Sequence, residues 1–147
     1  MFVGTYQHTV DDKGRLTLPA KWRNELAEGV VITRGIDRCL YILPKTKFDG
    51  MAKDIDKQGL ELAAARAYGR HFSGMADLVE PDKQGRIIIP QNLRNFAGLD
   101  GEVTVVGVIS RIEVWNPSKH KEIDEQIEND VPGVAEHMGS IMRGAGK

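Results

Sequence analysis

The sequence predicts an α+β, β-rich fold in which two tandem copies of one small unit pack together as an intrachain pseudo-dimer. The first observation is a repeat. Asp11-Asp12-Lys13-Gly14-Arg15-Leu16-Thr17-Leu18-Pro19 returns 71 residues later, in a chain of 147, as Asp82-Lys83-Gln84-Gly85-Arg86-Ile87-Ile88-Ile89-Pro90. Arg23 and Arg94 keep the same offset. Val31-Ile32-Thr33-Arg34-Gly35 matches Val103-Thr104-Val105-Val106-Gly107, and Leu40-Tyr41-Ile42-Leu43-Pro44 matches Glu113-Val114-Trp115-Asn116-Pro117. Phe2-Val3-Gly4 has a counterpart in Phe72-Ser73-Gly74. An internal repeat decides the architecture before any single element does. The second observation is size: a core of about 70 residues is marginal alone, so the halves are expected to bury each other.

Within the first unit, residues 5–10 and 15–18 read as strands joined tightly through Asp11-Asp12-Lys13-Gly14. Gly14 supplies the positive φ of a tight hairpin, and Asp side chains bond turn N–H groups. Pro19 opens a short helix, where its fixed φ suits the first position. Trp22, Leu26 and Ala27 give that helix an apolar side, and Gly29 is its stop. Residues 30–33 and 40–43 form a second strand pair around Arg34-Gly35-Ile36-Asp37-Arg38. The same order repeats from Met75 to Trp115, with Pro90 opening the second short helix and Leu93, Phe96 and Ala97 facing inward.

Two helical stretches separate the units. Residues 45–57 carry Phe48, Met51, Ala52 and Ile55 at helical spacing, and residues 60–72 are rich in alanine. A further helix follows Pro117, with Ile123 and Ile127 four apart, and Val131-Pro132-Gly133 is expected to break it. The resulting division is a first unit over residues 1–72 with the inter-unit helices, a second over 73–135 with the C-terminal helix, and a mobile tail over 136–147.

Composition narrows the function classes. No stretch approaches the roughly 20 apolar residues of a membrane span, and Met1-Phe2-Val3-Gly4-Thr5-Tyr6 lacks the basic and apolar regions of a signal peptide. Cys39 is the only cysteine, so no intrachain disulfide forms, and a cytoplasmic location is expected. The net charge of −1 does not announce a nucleic-acid binder. Its distribution is uneven: residues 1–72 hold 12 Lys and Arg against 9 Asp and Glu, while residues 73–147 hold 8 against 12. Glu122, Asp124, Glu125, Glu128, Asp130 and Glu136 concentrate acid near the C-terminus. A near-neutral total therefore leaves room for a local basic face, which is what steers a polyanion.

The turns carry the candidate chemistry: Lys13 and Arg15 in the first, Lys83 and Arg86 in the second. Arg presents a planar fork suited to phosphate and to the O6/N7 edge of guanine, and a two-stranded ribbon fits the major groove of B-DNA. Asp11 and Asp82, with Gly14 and Gly85, read as turn-bracing residues. One Asp-x-x-x-Arg pattern would be weak, since such a pair is often a plain surface ion pair; two copies, each followed by three apolar or Thr positions and Pro, are far more specific. Arg23 and Arg94 either cross to the other unit's turn acids or point at phosphate, and their place behind a strand favours packing. Trp22 and Trp115 read as core residues. His8, His71, His120 and His137 lack metal-ligand spacing. Cys39 lacks a nucleophile signature, and neither a phosphate-cradling loop nor a G-x-S-x-G elbow is present. No catalytic residue, metal, cofactor or small-molecule effector is expected.

Met1-Phe2-x-Gly4, Asp11-x-Lys13-Gly14-Arg15-Leu16-x-Leu18-Pro19, Asp82-x-x-Gly85-Arg86 and Val114-Trp115, in that order, resemble the MraZ family of bacterial transcriptional regulators. The resemblance covers nearly the whole chain, with little signature after about Asp130. It implies two AbrB-like units interlocked within one chain as a swapped-hairpin β-barrel flanked by helices. It also implies a repressor binding tandem G-rich repeats in double-stranded DNA upstream of the division and cell wall gene cluster, its own gene included. A nucleoid-associated, closed homo-oligomeric ring, often octameric, is implied as well. The family's basic motif positions fall on Lys13, Arg15, Lys83 and Arg86. The second turn departs from the pattern, with Gln84 where the first has Lys13 and Lys83 displaced by one residue. Other readings are an AbrB-like antitoxin whose acidic C-terminal segment holds a toxin, a hydrolase using His8 or Cys39, and a scaffold ring without DNA affinity. The helices around Phe48, Met51 and Ile55, or Leu62 and Ala65, are candidate subunit interfaces.

Overall fold

In residues 15–17 and 86–88 the middle side chain is apolar and buried while its neighbours are more exposed, the period-two pattern of a half-covered strand. In residues 30–34 and 40–44 the apolar run is continuous, and these strands are covered on both faces. A computed structural model describes residues 1–145; Gly146 and Lys147 of the expected mobile tail lie outside the described residues.

The strands are β1 (Phe2–Thr9), β2 (Arg15–Thr17), β3 (Val30–Arg34), β4 (Leu40–Pro44), β5 (Asp77–Val79), β6 (Arg86–Ile88), β7 (Glu102–Ile109) and β8 (Arg111–Trp115). The helices are α1 (Lys45–Asp56), α2 (Ala63–Ser73), α3 (Gln91–Ala97), α4 (Pro117–Asn129) and α5 (Val131–Ala145). Every strand pairing is antiparallel: a six-stranded sheet in the order β1-β7-β8-β4-β3-β5, and a two-stranded ribbon of β2 with β6. The expected α+β class and the two tandem units hold.

The repeat is expressed as cross-pairing between the units. β1 of the first unit pairs with β7 of the second, and β5 of the second pairs with β3 of the first. β2 pairs with its own counterpart β6, so that Leu16 faces Ile87, the residue 71 positions later. β4 pairs with its counterpart β8, and Tyr41 faces Glu113. These are the pairings a pseudo-two-fold axis requires. They correct the expected hairpin: β1 and β2 are joined by a tight turn but are not ladder partners, because β1 spends its hydrogen bonds on β7 and β2 on β6.

Two further expectations are corrected, and one sequence match takes a different local structure. The segment after Pro19 is two 3₁₀ turns, Ala20–Trp22 and Asn24–Leu26, whereas its counterpart after Pro90 is the α-helix α3. The sequence match of Phe72-Ser73-Gly74 to Phe2-Val3-Gly4 is not one of local structure, since the latter lies in β1. The former closes α2, where the Gly74 N–H donates to the Arg70 carbonyl. Val131-Pro132-Gly133 does not end the helical region: Asp130 is the interruption, and Pro132 sits in the first turn of α5, where a missing N–H costs nothing. The described part of the expected mobile tail, up to Ala145, is therefore helical.

One face of the sheet is covered by the ribbon and short helices. Val30, Ile32, Leu40, Ile42, Val103, Val105, Ile112 and Val114 pack with Leu16, Leu18, Ile87, Ile89, Trp22, Leu26 and Leu93 in a single buried cluster. Trp22 meets Phe2 and Tyr6 edge to face at 5.7 and 5.3 Å. Both tryptophans are buried, as expected. On the opposite face α1 and α2 pack against β3 and β4. There the Thr33 hydroxyl donates to the Phe72 carbonyl, and Arg34 donates to the carbonyls of His71 and Arg70 at the end of α2. The buried Glu113 carboxylate accepts from Arg111 and from the Trp115 indole, each at 2.9 Å. Residues 1–116 form one compact unit; the chain from Pro117, with α4 and α5, forms a second.

Candidate nucleic-acid interface

Each turn is built around one aspartate. In the first, Asp11 Oδ1 accepts from the N–H of Lys13 (3.0 Å) and of Arg15 (2.8 Å), while Oδ2 accepts from Arg15 Nε at 2.6 Å. In the second, Asp82 Oδ1 accepts from the N–H of Gln84 and of Arg86, both at 2.9 Å, and Oδ2 from Arg86 Nε at 2.7 Å. The Arg15 N–H is the first cause that holds the Asp11 carboxyl below its ordinary range, and the Arg86 N–H does the same for Asp82. Gly14 (φ +82°) and Gly85 (φ +76°) close the turns from the left-handed region.

Binding Nε to the aspartate fixes each guanidinium and leaves its terminal Nη groups for a ligand. Because β2 and β6 pair about Leu16 and Ile87, Arg15, Thr17, Arg86 and Ile88 all fall on the outer face of one ribbon. Arg15 and Arg86 line a common cleft of about 380 Å³ with Ile88, Asp77 and Glu80. Lys13 and Lys83 are exposed in the two turns. The hydrogen-bond pattern places Gln84, not Lys83, at the position of Lys13, so Lys83 stands where the first turn has Asp12.

The turns are locked by the opposite unit. Leu18 N–H donates to the Gly85 carbonyl (2.9 Å), and Ile89 N–H donates to the Gly14 carbonyl (2.8 Å). Arg23 and Arg94 do cross between units, but they lie over the turn glycines instead of pairing with the turn acids. A Cβ on Gly85 would fall 2.2 Å from Arg23 Nε, and a Cβ on Gly14 would fall 3.0 Å from Arg94 Cζ. Arg23 Nη2 donates to the Leu18 carbonyl at 3.2 Å. This packing role agrees with the one favoured from their place behind the strands.

Sequence reasoning overlooked Thr17 and Ile88 as members of the outer face. The alternation Arg15-Leu16-Thr17 and Arg86-Ile87-Ile88 was the available signal. It was masked in the second unit because Ile88, 59% exposed, is as apolar as its buried neighbours.

The family described as "MraZ protein, putative antitoxin-like" matches the chain twice, over residues 1–71 and 72–138. The chain belongs to the MraZ family. The resemblance read from the paired motifs is thereby borne out. A protein of Salinispora arenicola called transcriptional regulator MraZ is 45% identical over 136 residues, covering 92% of this chain and 96% of its own. One of Moorella thermoacetica with the same name is 44% identical over 138 residues, covering 94% and 96%. One of Salinispora tropica, again so named, is 50% identical over 116 residues, covering 79% and 82%. The two family matches meet between Phe72 and His71, near the end of α2, so each contains one braced turn.

Proposed function

We propose that this chain is a DNA-binding transcriptional regulator that represses from tandem G-rich repeats upstream of the division and cell wall gene cluster, including its own gene. The supporting observation is the β2–β6 ribbon, which carries Arg15 and Arg86 on one outward face with both guanidinium groups held by aspartate. A ribbon of two strands enters the major groove of B-DNA, where an Arg fork reads guanine O6 and N7. Lys13 supplies a phosphate contact, and Lys83 grips from a displaced position. The cross-pairing of the two units supports a swapped-hairpin barrel of the AbrB-like kind as the scaffold. Relatives called transcriptional regulators support the same role.

The chain acts as a closed ring of copies. A weakly basic ribbon is then presented many times, and linked contacts raise the effective concentration of each next one. This reconciles DNA binding with a net charge of −1. The same role places the chain in the cytoplasm, on the nucleoid.

The experiment is titration of the full chain against a duplex from its own upstream region and a scrambled duplex, across a range of salt. Tight binding to the first only, falling steeply with salt, is expected, and the slope counts phosphate contacts. Arg15→Ala weakens native binding by about 1–3 kcal/mol per engaged subunit when the contact is bidentate. Equal weak binding to both duplexes overturns the reading. Co-purification of a specific toxin would turn it toward an antitoxin, which the family description and the acidic α4 favour.

A further inference from the structure

One large apolar side chain stands on the face that carries the paired arginines. Ile88 is 59% exposed, whereas its neighbours Ile87 and Ile89 are buried. Side chains alternate along a strand, so Ile88 shares the outer face with Arg86. In the β2–β6 register Ile88 is the cross-strand partner of Arg15, and Thr17 is that of Arg86. Directly opposed residues on one face have Cβ atoms about 4.5–5.5 Å apart. Ile88 therefore stands beside one guanidinium and two residues from the other, and all three side chains line one cleft. Asp11 and Asp82 hold both guanidinium groups, so the apolar side chain lies between fixed polar neighbours. Asp77 and Glu80 line the same cleft and repel phosphate. That leaves the edge of a base, not the DNA backbone, as the surface that enters it.

We propose that Ile88 reads the 5-methyl group of a thymine beside the guanine held by Arg15. In the major groove thymine alone of the four bases presents a methyl, and apolar side chains contact it. The spacing fits. Two residues along a strand span about 6.6–6.8 Å, and two base-pair steps span about 6.8 Å. The Arg15–Ile88 pair and the Arg86–Thr17 pair thus meet base pairs about two steps apart. The readout is one-sided. The pseudo-two-fold axis exchanges Ile88 with Thr17, and it exchanges Asp77 and Glu80 with Tyr6 and Thr9. A threonine hydroxyl bonds more than one base, so only the Ile88 half demands thymine. A ribbon with equal halves would read an inverted repeat, because the symmetry of a site mirrors that of its reader. Unequal halves give the ribbon a direction, as tandem repeats in one orientation require. Resting on the DNA-binding reading proposed above, this assignment adds the base that Ile88 selects.

The test titrates the full chain against the duplex from its own upstream region, with each thymine replaced in turn by deoxyuridine. The replacement removes one methyl and keeps the O4 acceptor. For the unaltered chain, one replacement beside a guanine is expected to weaken binding about fourfold per engaged subunit, the worth of one buried methyl. Ile88→Ala, checked for folding by circular dichroism, is expected to bind the thymine and deoxyuridine duplexes equally. Thr17→Ala is expected to keep the preference for thymine. The readout is the ratio between two duplexes, so a general weakening does not imitate it. If no replacement matters to the unaltered chain, or if Ile88→Ala keeps the ratio, the methyl readout is overturned while specific binding to the native duplex stands. A folded Ile88→Ala that binds neither duplex makes Ile88 a general contact and overturns it too. Equal binding of native and scrambled duplexes by the unaltered chain overturns both readings.

Discussion

Gly85→Ala tests whether the two units are locked together through the turns. A Cβ on Gly85 would lie 2.2, 2.4 and 2.7 Å from Nε, Cζ and Nη2 of Arg23, so the guanidinium has to leave. Holding a non-glycine residue at the φ of +76° costs about 1–2 kcal/mol. Expelling Arg23 forfeits its bond to the Leu18 carbonyl, about 1.5 kcal/mol for a bond from a charged donor. The sum is a loss of about 3 kcal/mol, measured by urea unfolding followed through the buried Trp22 and Trp115. In an Arg23→Ala background the steric part is gone, and only the backbone cost of about 1–2 kcal/mol remains. The two substitutions are therefore coupled. Gly14→Ala differs: its Cβ would meet the Ile89 carbonyl oxygen at 2.9 Å, and backbone cannot swing aside as a guanidinium does. Arg94→Ala should relieve it less than Arg23→Ala relieves Gly85→Ala. A cost below about 1 kcal/mol for Gly85→Ala, or strict additivity with Arg23→Ala, would refute the lock.

Other outcomes follow from the same geometry. Asp11 and Asp82 are held below the ordinary carboxylate value of 3.8, so the folded chain binds fewer protons there than the unfolded one. Their stabilisation is complete above that value and is lost as pH falls through the lowered folded values; Asp11→Asn with Asp82→Asn should flatten the acid end of the stability profile. Leu16→Ala, at a fully buried ribbon position, should cost about 2–5 kcal/mol, whereas Ile88→Ala on the outer face should stay within about 0.5 kcal/mol; comparable costs in urea titrations would show the ribbon register to be wrong. Burial pushes the Cys39 thiol far up, so an aromatic disulfide reagent should react with it only on unfolding, and prompt labelling of the native chain would contradict the burial of the residue that leads into β4.

The paired turns were legible because they are local. An aspartate bonding N–H groups two and four residues on, and a glycine one step before the arginine, are fixed by near neighbours in the chain. The same holds for the class of most elements and for the placement of Trp22 and Trp115 in cores. The partner of each strand was not legible. Residues 5–10 and 15–18 look like a hairpin in sequence, yet backbone ladders are chemically alike, and which strand meets which depends on burying the whole apolar surface of both units at once. Cross-pairing does this, and it alone sets Arg15 and Arg86 on one face. The short helices also diverge after equivalent prolines: one becomes two 3₁₀ turns that bury Trp22 and Leu26, the other an α-helix that buries Leu93 and Ala97. The sequence by itself determined the repeat, the turns and their chemistry. The tertiary structure decided their pairing and their common face, because those depend on contacts about 70 residues apart that no local preference encodes.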